Sequence, residues 1–196
     1  MIHYIAHRIN TIAQLKDLPV EHGVEIDLRD HGDRLILQHD PFINGEDFEP
    51  YLKHYQHGTL ILNIKSERIE HRVLELLSKY GITDYFFLDS SFPMINLLSN
   101  QGEKKSAVRF SEFESLESVL LMAEKIDWVW VDCFSKLPID YTSFNKLKLS
   151  GFKLCLVSPE LQGRPLDLEI YRKWLEEHNI IFDAICTKHK NISQWN

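Results

Sequence analysis

Eight short apolar runs, rich in β-branched and aromatic residues, recur along the chain at 4–6, 24–28, 60–64, 85–88, 107–110, 128–131, 154–157 and 182–186. Their mean spacing is roughly 25 residues. Several are apolar on both faces, as in Tyr85-Phe86-Phe87-Leu88 and Leu154-Cys155-Leu156-Val157. Strands of that kind sit in parallel sheets covered by helices. Between the runs, apolar residues take helical spacing: Ile69, Val73, Leu76 and Leu77, then Leu116, Val119, Leu120 and Ala123, then Leu168, Tyr171, Trp174 and Leu175. Gly81 and Gly151 stand at plausible helix stops. Strands alternating with helices at this interval predict βα units, and eight of them predict a small TIM (β/α)8 barrel with parallel strands. The barrel fills 1–196 as a single domain, with too few residues after the last run for a full closing helix. One irregularity stands out. The turn His31-Gly32-Asp33 followed by Arg34-Leu35-Ile36-Leu37 predicts a short return strand after the second barrel strand.

Composition narrows the function classes. Apolar residues make up 44% and charged residues 26% of the 196, which is ordinary for a folded domain. The net charge of −7 argues against nucleic acid and against a polybasic membrane surface, yet leaves room for a locally positive pocket. No apolar stretch approaches the ~18 residues of a membrane span. The first residues lack a basic segment followed by an apolar one, so secretion is not expected. Cys133, Cys155 and Cys186 lie far apart in apolar surroundings, without CxxC spacing. They read as buried thiols in a reducing compartment, and the expected location is cytoplasmic. The oligomeric state is left open.

Catalytic residues of such barrels sit at the C-terminal ends of the strands. The runs end in His7-Arg8, in Glu25 and Asp27, in Lys65 after Asn63, in Asp89, in Arg109 followed by Ser111 and Glu112, in Asp132, in Ser158 and Glu160, and in Thr187-Lys188; the return strand ends in His39-Asp40. Taken singly, each is more commonly a loop residue or a helix cap. Ser111 and Glu114 have capping-box spacing. The functional reading rests on clustering of two histidines, a Glu-x-Asp pair and a lysine within the first 65 residues. That set suits phosphodiester cleavage. Glu25 and Asp27 are hard oxygen ligands of the kind Mg²⁺ or Ca²⁺ takes. Two histidines can divide acid and base work. Arg8 and Lys65 can neutralise phosphoryl charge, and Arg109 has the planar fork that grips an anion.

His7-Arg8, Glu25-x-Asp27, His39-Asp40 and a strand ending in Lys65 together resemble the glycerophosphodiester phosphodiesterase pattern, within the phosphatidylinositol-phospholipase-C-like superfamily. The rest of the chain resembles an uncharacterised bacterial branch, often met near surface-polysaccharide genes. Its segments are Asn63-Ile64-Lys65-Ser66-Glu67, Phe87-Leu88-Asp89-Ser90-Ser91, Arg109-Phe110-Ser111-Glu112-Phe113-Glu114, Trp130-Val131-Asp132-Cys133-Phe134 and Val157-Ser158-Pro159-Glu160-Leu161. The resemblance implies a phosphoric diester hydrolase with His7 and His39 as acid/base pair. Arg8 and Lys65 would then hold phosphate, and Glu25, Asp27 and Asn63 would hold a weak Mg²⁺ or Ca²⁺. Arg109, Glu112, Asp132 and Glu160 are expected to line the substrate pocket.

Three departures from that pattern shape the expectation. Asn63 stands where the family places a third carboxylate; Asp89 either restores the missing charge or caps the segment from Ser90. The long insertion after the His-Asp motif is replaced by the short stretch 41–59, which leaves the mouth open for a small or glycan-linked phosphodiester. Arg8 is followed by Ile9-Asn10 instead of glycine. Two alternatives remain: a metal-independent two-histidine phosphodiesterase or lyase, and a degenerate barrel that binds a phosphorylated glycan without cleaving it.

Overall fold

The computed structural model describes residues 2–195 as a mixed α/β fold on one curled sheet. Its strands are β1 (His3–Ala6), β2 (Gly23–His31), β3 (Arg34–Leu37), β4 (Glu46–Asp47), β5 (Leu60–Ile64), β6 (Tyr85–Leu88), β7 (Ala107–Phe110), β8 (Trp128–Val131), β9 (Lys153–Val157) and β10 (Ala184–Thr187). Each of the eight apolar runs contributes a barrel strand. Helices Glu70–Lys79 and Asp167–Glu177 bury the spaced apolar residues, with Val73, Leu77, Leu168, Tyr171 and Leu175 all facing inward. The segment from Leu116 is helical only to Leu120, and the chain closes on a single turn, Ile192–Trp195.

Parallel pairing runs β6-β5-β2-β1-β10-β9-β8-β7. Among the described residues the two ends of that ladder meet at one parallel bridge, Phe87 with Ser106, where the Phe87 N–H also donates to the Lys105 carbonyl at 2.9 Å. The expectation of an all-parallel barrel is therefore corrected: the sheet is mixed, a TIM-like barrel with an antiparallel flap. β3 pairs antiparallel to β2, and β4 antiparallel to β3. The cause is local. His31 pairs directly with Arg34, so only Gly32-Asp33 separates the strands, and a loop that short joins antiparallel neighbours alone. Gly32 has φ +60, which such a turn requires and glycine supplies without steric cost. The two-residue β4 carries no apolar pattern by which it could be foreseen.

β2 and β5 set the site. Every residue of β5, and Gly23 through Leu28 of β2, is buried, because barrel interior lies on one face and helices on the other. Asp27 pairs with Asn63 in that ladder. At the opposite end of the barrel the His3 ring packs against Gly23 and Gly58. A Cβ on Gly58 would approach that ring to 2.4 Å, so this junction closes only around glycine. The three cysteines are free and buried. Among the described residues no helix is long and apolar enough to cross a membrane.

Candidate active site

His7 and Arg8 follow β1. The His7 N–H donates to the Thr187 carbonyl at 2.9 Å, which fixes the strand end against β10. Arg8 then adopts φ +57. A non-glycine residue in that region costs on the order of 1 kcal/mol and needs a compensating contact. Here the turn brings the Arg8 N–H to 2.8 Å from Glu25 Oε2. Two residues on, the Asn10 amide grips Asp27 twice: Nδ2 donates to Asp27 Oδ2 at 2.9 Å, and Asn10 Oδ1 accepts the Asp27 N–H at 2.8 Å. Asn10 is a site residue that the sequence reading missed. It lies past the turn at His7-Arg8, outside β1, so strand alternation carried no signal for it.

Glu25 and Asp27 are fully buried. Asn63 Nδ2 donates to Glu25 Oε1 at 2.8 Å and reaches Asp27 Oδ1 at 3.5 Å. Lys65 Nζ lies 3.8 Å from Asp27 Oδ1, and Arg8 Nε lies 3.5 Å from Asp27 Oδ2. His7 Nε2 is 3.7 Å from Glu25 Oε2. The sequence-predicted His7, Arg8, Glu25, Asp27, Asn63 and Lys65 thus converge on one point. Burial, then the neighbouring Asp27, pushes the Glu25 carboxyl up to about 7, against the pull of Asn63, the Arg8 N–H and Lys65. Burial, then the Arg8 charge, lowers His7 to about 4. His7 is consequently a neutral imidazole at pH 7.

His39 reaches the same end of the barrel through the flap. The Gln38 N–H donates to the Asp27 carbonyl at 3.0 Å, and Arg29 holds the His39 carbonyl at 2.9 Å. His39 Nδ1 pairs with Asp40 Oδ1 at 2.7 Å. This hydrogen bond holds the Asp40 carboxyl below its usual range, with the charges of His39, Arg8 and Arg29 adding to it. With Nδ1 engaged, Nε2 is the ring atom left for proton exchange.

The residues expected to line a substrate pocket also act as struts, and Arg109 lines a cavity of about 350 Å³ with Asp89 and Glu114. Arg109 forks onto Asp89 and Asp132. Asp132 is 2% exposed and also accepts from the Cys133 N–H at 2.9 Å and from Gln162 at 2.7 Å. Asp89 pairs with Lys65 at 3.2 Å, so it bridges two cations; it neither faces Glu25 and Asp27 as a ligand nor caps the helix Phe92–Asn100. Glu112 ties two loops together through the Ser135 N–H at 2.5 Å and hydroxyl at 2.6 Å. Glu160 is buried and accepts from Ser158, from Thr187 at 2.5 Å and from the Lys188 N–H at 3.1 Å. Those hydrogen bonds outweigh its burial and hold it below the usual carboxylate range. Outside these struts lie Phe113, 78% exposed, and Phe134, 38% exposed, with ring centroids 5.8 Å apart.

A divalent ion would need free oxygens from this donor set. Mg²⁺ and Ca²⁺ take six or more oxygen lone pairs. Here every oxygen of Glu25 and Asp27 faces an N–H donor or a cation, and Asn63 turns its nitrogen, not its oxygen, toward them. Asn63 Oδ1 is buried with no partner. No group of three or more His, Cys, Asp and Glu side chains among the described residues is arranged to hold an ion. The Mg²⁺ or Ca²⁺ site expected on Glu25, Asp27 and Asn63 does not fit this arrangement.

The fold has counterparts among solved structures. A glycerophosphodiester phosphodiesterase from Agrobacterium tumefaciens superposes with a TM-score of 0.72 at 16% identity, covering 96% of this chain and 98% of that one. The chain has the fold of that enzyme. A glycerophosphoryl diester phosphodiesterase from Parabacteroides distasonis gives 0.67 at 11% identity, over 100% of this chain and 86% of that one. No family model matches the sequence. A curated relative, Tsukushi of Gallus gallus, is 27% identical over 119 residues, which are 61% of this chain and 30% of that protein. At these identities the likeness to the phosphodiesterases is one of fold.

Proposed function

We propose that this chain hydrolyses phosphoric diesters, with a small or glycan-linked diester as substrate. The observation that carries the reading is the convergence of a neutral histidine and two cations at the C-terminal strand ends: His7, Arg8 and Lys65 around the buried carboxyls of Glu25 and Asp27. Arg8 and Lys65 receive the phosphoryl oxygens and offset the charge that builds on them. His7 Nε2 takes a proton from the attacking water as its oxygen bonds to phosphorus. His39 Nε2 gives a proton to the departing alkoxide as the ester bond breaks. The products are an alcohol and a phosphomonoester, and solvent returns both rings to their starting states. Arg109 is already held by two carboxylates, so recognition beyond the phosphate falls to the exposed rim that includes Phe113 and Phe134. The three buried thiols fit a reducing, cytoplasmic setting.

The test is a panel of glycerophosphodiesters, nucleotide-linked alditols and glycan phosphodiesters followed by phosphorus NMR. Appearance of a phosphomonoester from one member, lost in His7→Ala and in His39→Ala, supports the reading. Binding of a phosphorylated glycan with no turnover across the panel would replace it with the binding-only alternative.

A further inference from the structure

We infer that the Glu25–Asp27 pair in this chain is not a divalent-cation site but a hydrogen-bonded hub, in which the Asn63 amide and the charges of Lys65 and Arg8 occupy the role a metal ion would otherwise fill. Four observations carry this. Asn63 stands directly opposite Asp27 in the β2–β5 ladder, so its side chain enters the barrel beside both carboxyls. Its Nδ2 spans them, at 2.8 Å from Glu25 and 3.5 Å from Asp27, which is the bridging position of a shared cation. The outer oxygens are taken by the Arg8 N–H at 2.8 Å and the Asn10 amide at 2.9 Å. Two permanent cations, Arg8 and Lys65, then lie within 4 Å of Asp27 and balance the formal charge of the two carboxylates.

An incoming Mg²⁺ would have to displace the amide and sit between the carboxyls against two positive neighbours. It would gain at most one neutral oxygen in exchange, from a rotated Asn63, and a neutral oxygen binds a hard cation more weakly than a carboxylate does. Both carboxyls are fully buried, so an ion between them would have to shed waters that Mg²⁺ gives up reluctantly. Asn63 is on this account a positioning residue. It holds Glu25 and Asp27 together, and they in turn orient Arg8 and Lys65 toward the phosphate. The inference concerns the hub itself, so it is tested by metal binding independently of whether a substrate is found.

The experiment titrates Mg²⁺, Ca²⁺ and Mn²⁺ alone into chelator-treated wild-type protein, reading heat of binding and melting temperature. The expected result is no saturable binding and no shift. The Asn63→Asp variant replaces the bridging donor by a third carboxylate. It should melt lower than wild type in chelator and regain ~5–10 °C at a metal concentration of about a hundred times its Kd. Saturable binding to wild type, lost in Glu25→Gln, would overturn the inference. Should Glu25→Gln not fold, Mn²⁺-enhanced water relaxation on wild type, reversed by Ca²⁺, is the equivalent contrary result. Failure of Asn63→Asp to acquire metal binding would remove Asn63 from its assigned role. Where the panel yields a substrate, chelated wild type should keep its full turnover.

Discussion

Asp27 and Asn63 face one another across the β2–β5 ladder, and Asn63 presents its amide nitrogen to Asp27 and to Glu25. One residue type at this position decides whether two buried carboxyls offer lone pairs to an ion or accept hydrogen bonds from the protein. The same geometry leaves His7 3.7 Å from Glu25, so the protonation states of the site are linked through a short distance.

That linkage has a consequence for stability against pH. His7 is lowered from 6.5 to about 4, so between those values the unfolded chain holds the extra proton and stability rises with pH. Glu25 is raised from 4.5 to about 7, so between those values the folded chain holds the extra proton and stability falls with pH. The two slopes, each about 1.4 kcal/mol per pH unit, oppose one another from pH 4.5 to 6.5. Glu25→Gln should therefore show stability rising more steeply with pH in that window than wild type, and His7→Asn falling more steeply. Urea denaturation at several pH values reads both; parallel profiles for the three proteins would contradict the assignment.

Asn10→Ala removes a donor from the buried Asp27 carboxyl and an acceptor from its N–H. Stranding a charged acceptor and a buried donor should cost ~2–4 kcal/mol, seen as a lower denaturation midpoint with unchanged slope. Asn10→Asp should cost more, because it sets a second carboxylate against Asp27.

Arg109 distinguishes a strut from a ligand for substrate. Arg109→Met leaves Asp132, 2% exposed, without its cation. The expected loss is ~3–5 kcal/mol of stability, with KM little changed in a variant kept folded at low temperature. A large rise in KM with unaltered stability would instead return Arg109 to the substrate pocket.

Lys65 should behave in the opposite way. Its Nζ contacts Asp27 and Asp89 at 3.8 and 3.2 Å and is among the cations nearest the proposed phosphate position. Lys65→Met should lower kcat by ~10²–10³-fold, the size seen when a transition-state charge partner is removed. Lys65→Arg keeps the charge and should retain part of the rate. Equal activity of all three proteins on a verified substrate would exclude the role.

His39 is tested by rate. His39→Ala should lose ~10²–10⁴-fold in kcat with little change in melting temperature, since the ring is 40% exposed and bonded only to the exposed Asp40. Asp40→Asn should produce a smaller loss by releasing the ring orientation.

Much of this molecule is local and therefore legible in the chain. Runs apolar on both faces suit interior strands, so 85–88 and 128–131 coincide with β6 and β8, and 154–157 falls within β9. A Gly-Asp connection between His31 and Arg34 dictates a tight reversal, so the return strand β3 was foreseen at its observed bounds. Polar residues ending each strand follow from the barrel's geometry, and so Glu25 and the five residues gathered beside it, Asp27 included, were named in advance. What the chain could not disclose are the partners. Whether an amide shows its oxygen or its nitrogen depends on what stands opposite, and Asn63 meets two carboxyls that only the β2–β5 register brings to it. Glu160 and Asp132 are strand-end acids like Asp27 in one dimension, yet in three they are filled by Thr187, Ser158, Gln162 and Arg109. The chemistry of a carboxylate is set by its residue type, but its availability is set by which donors reach it first, and that is a property of packing between strands distant in sequence.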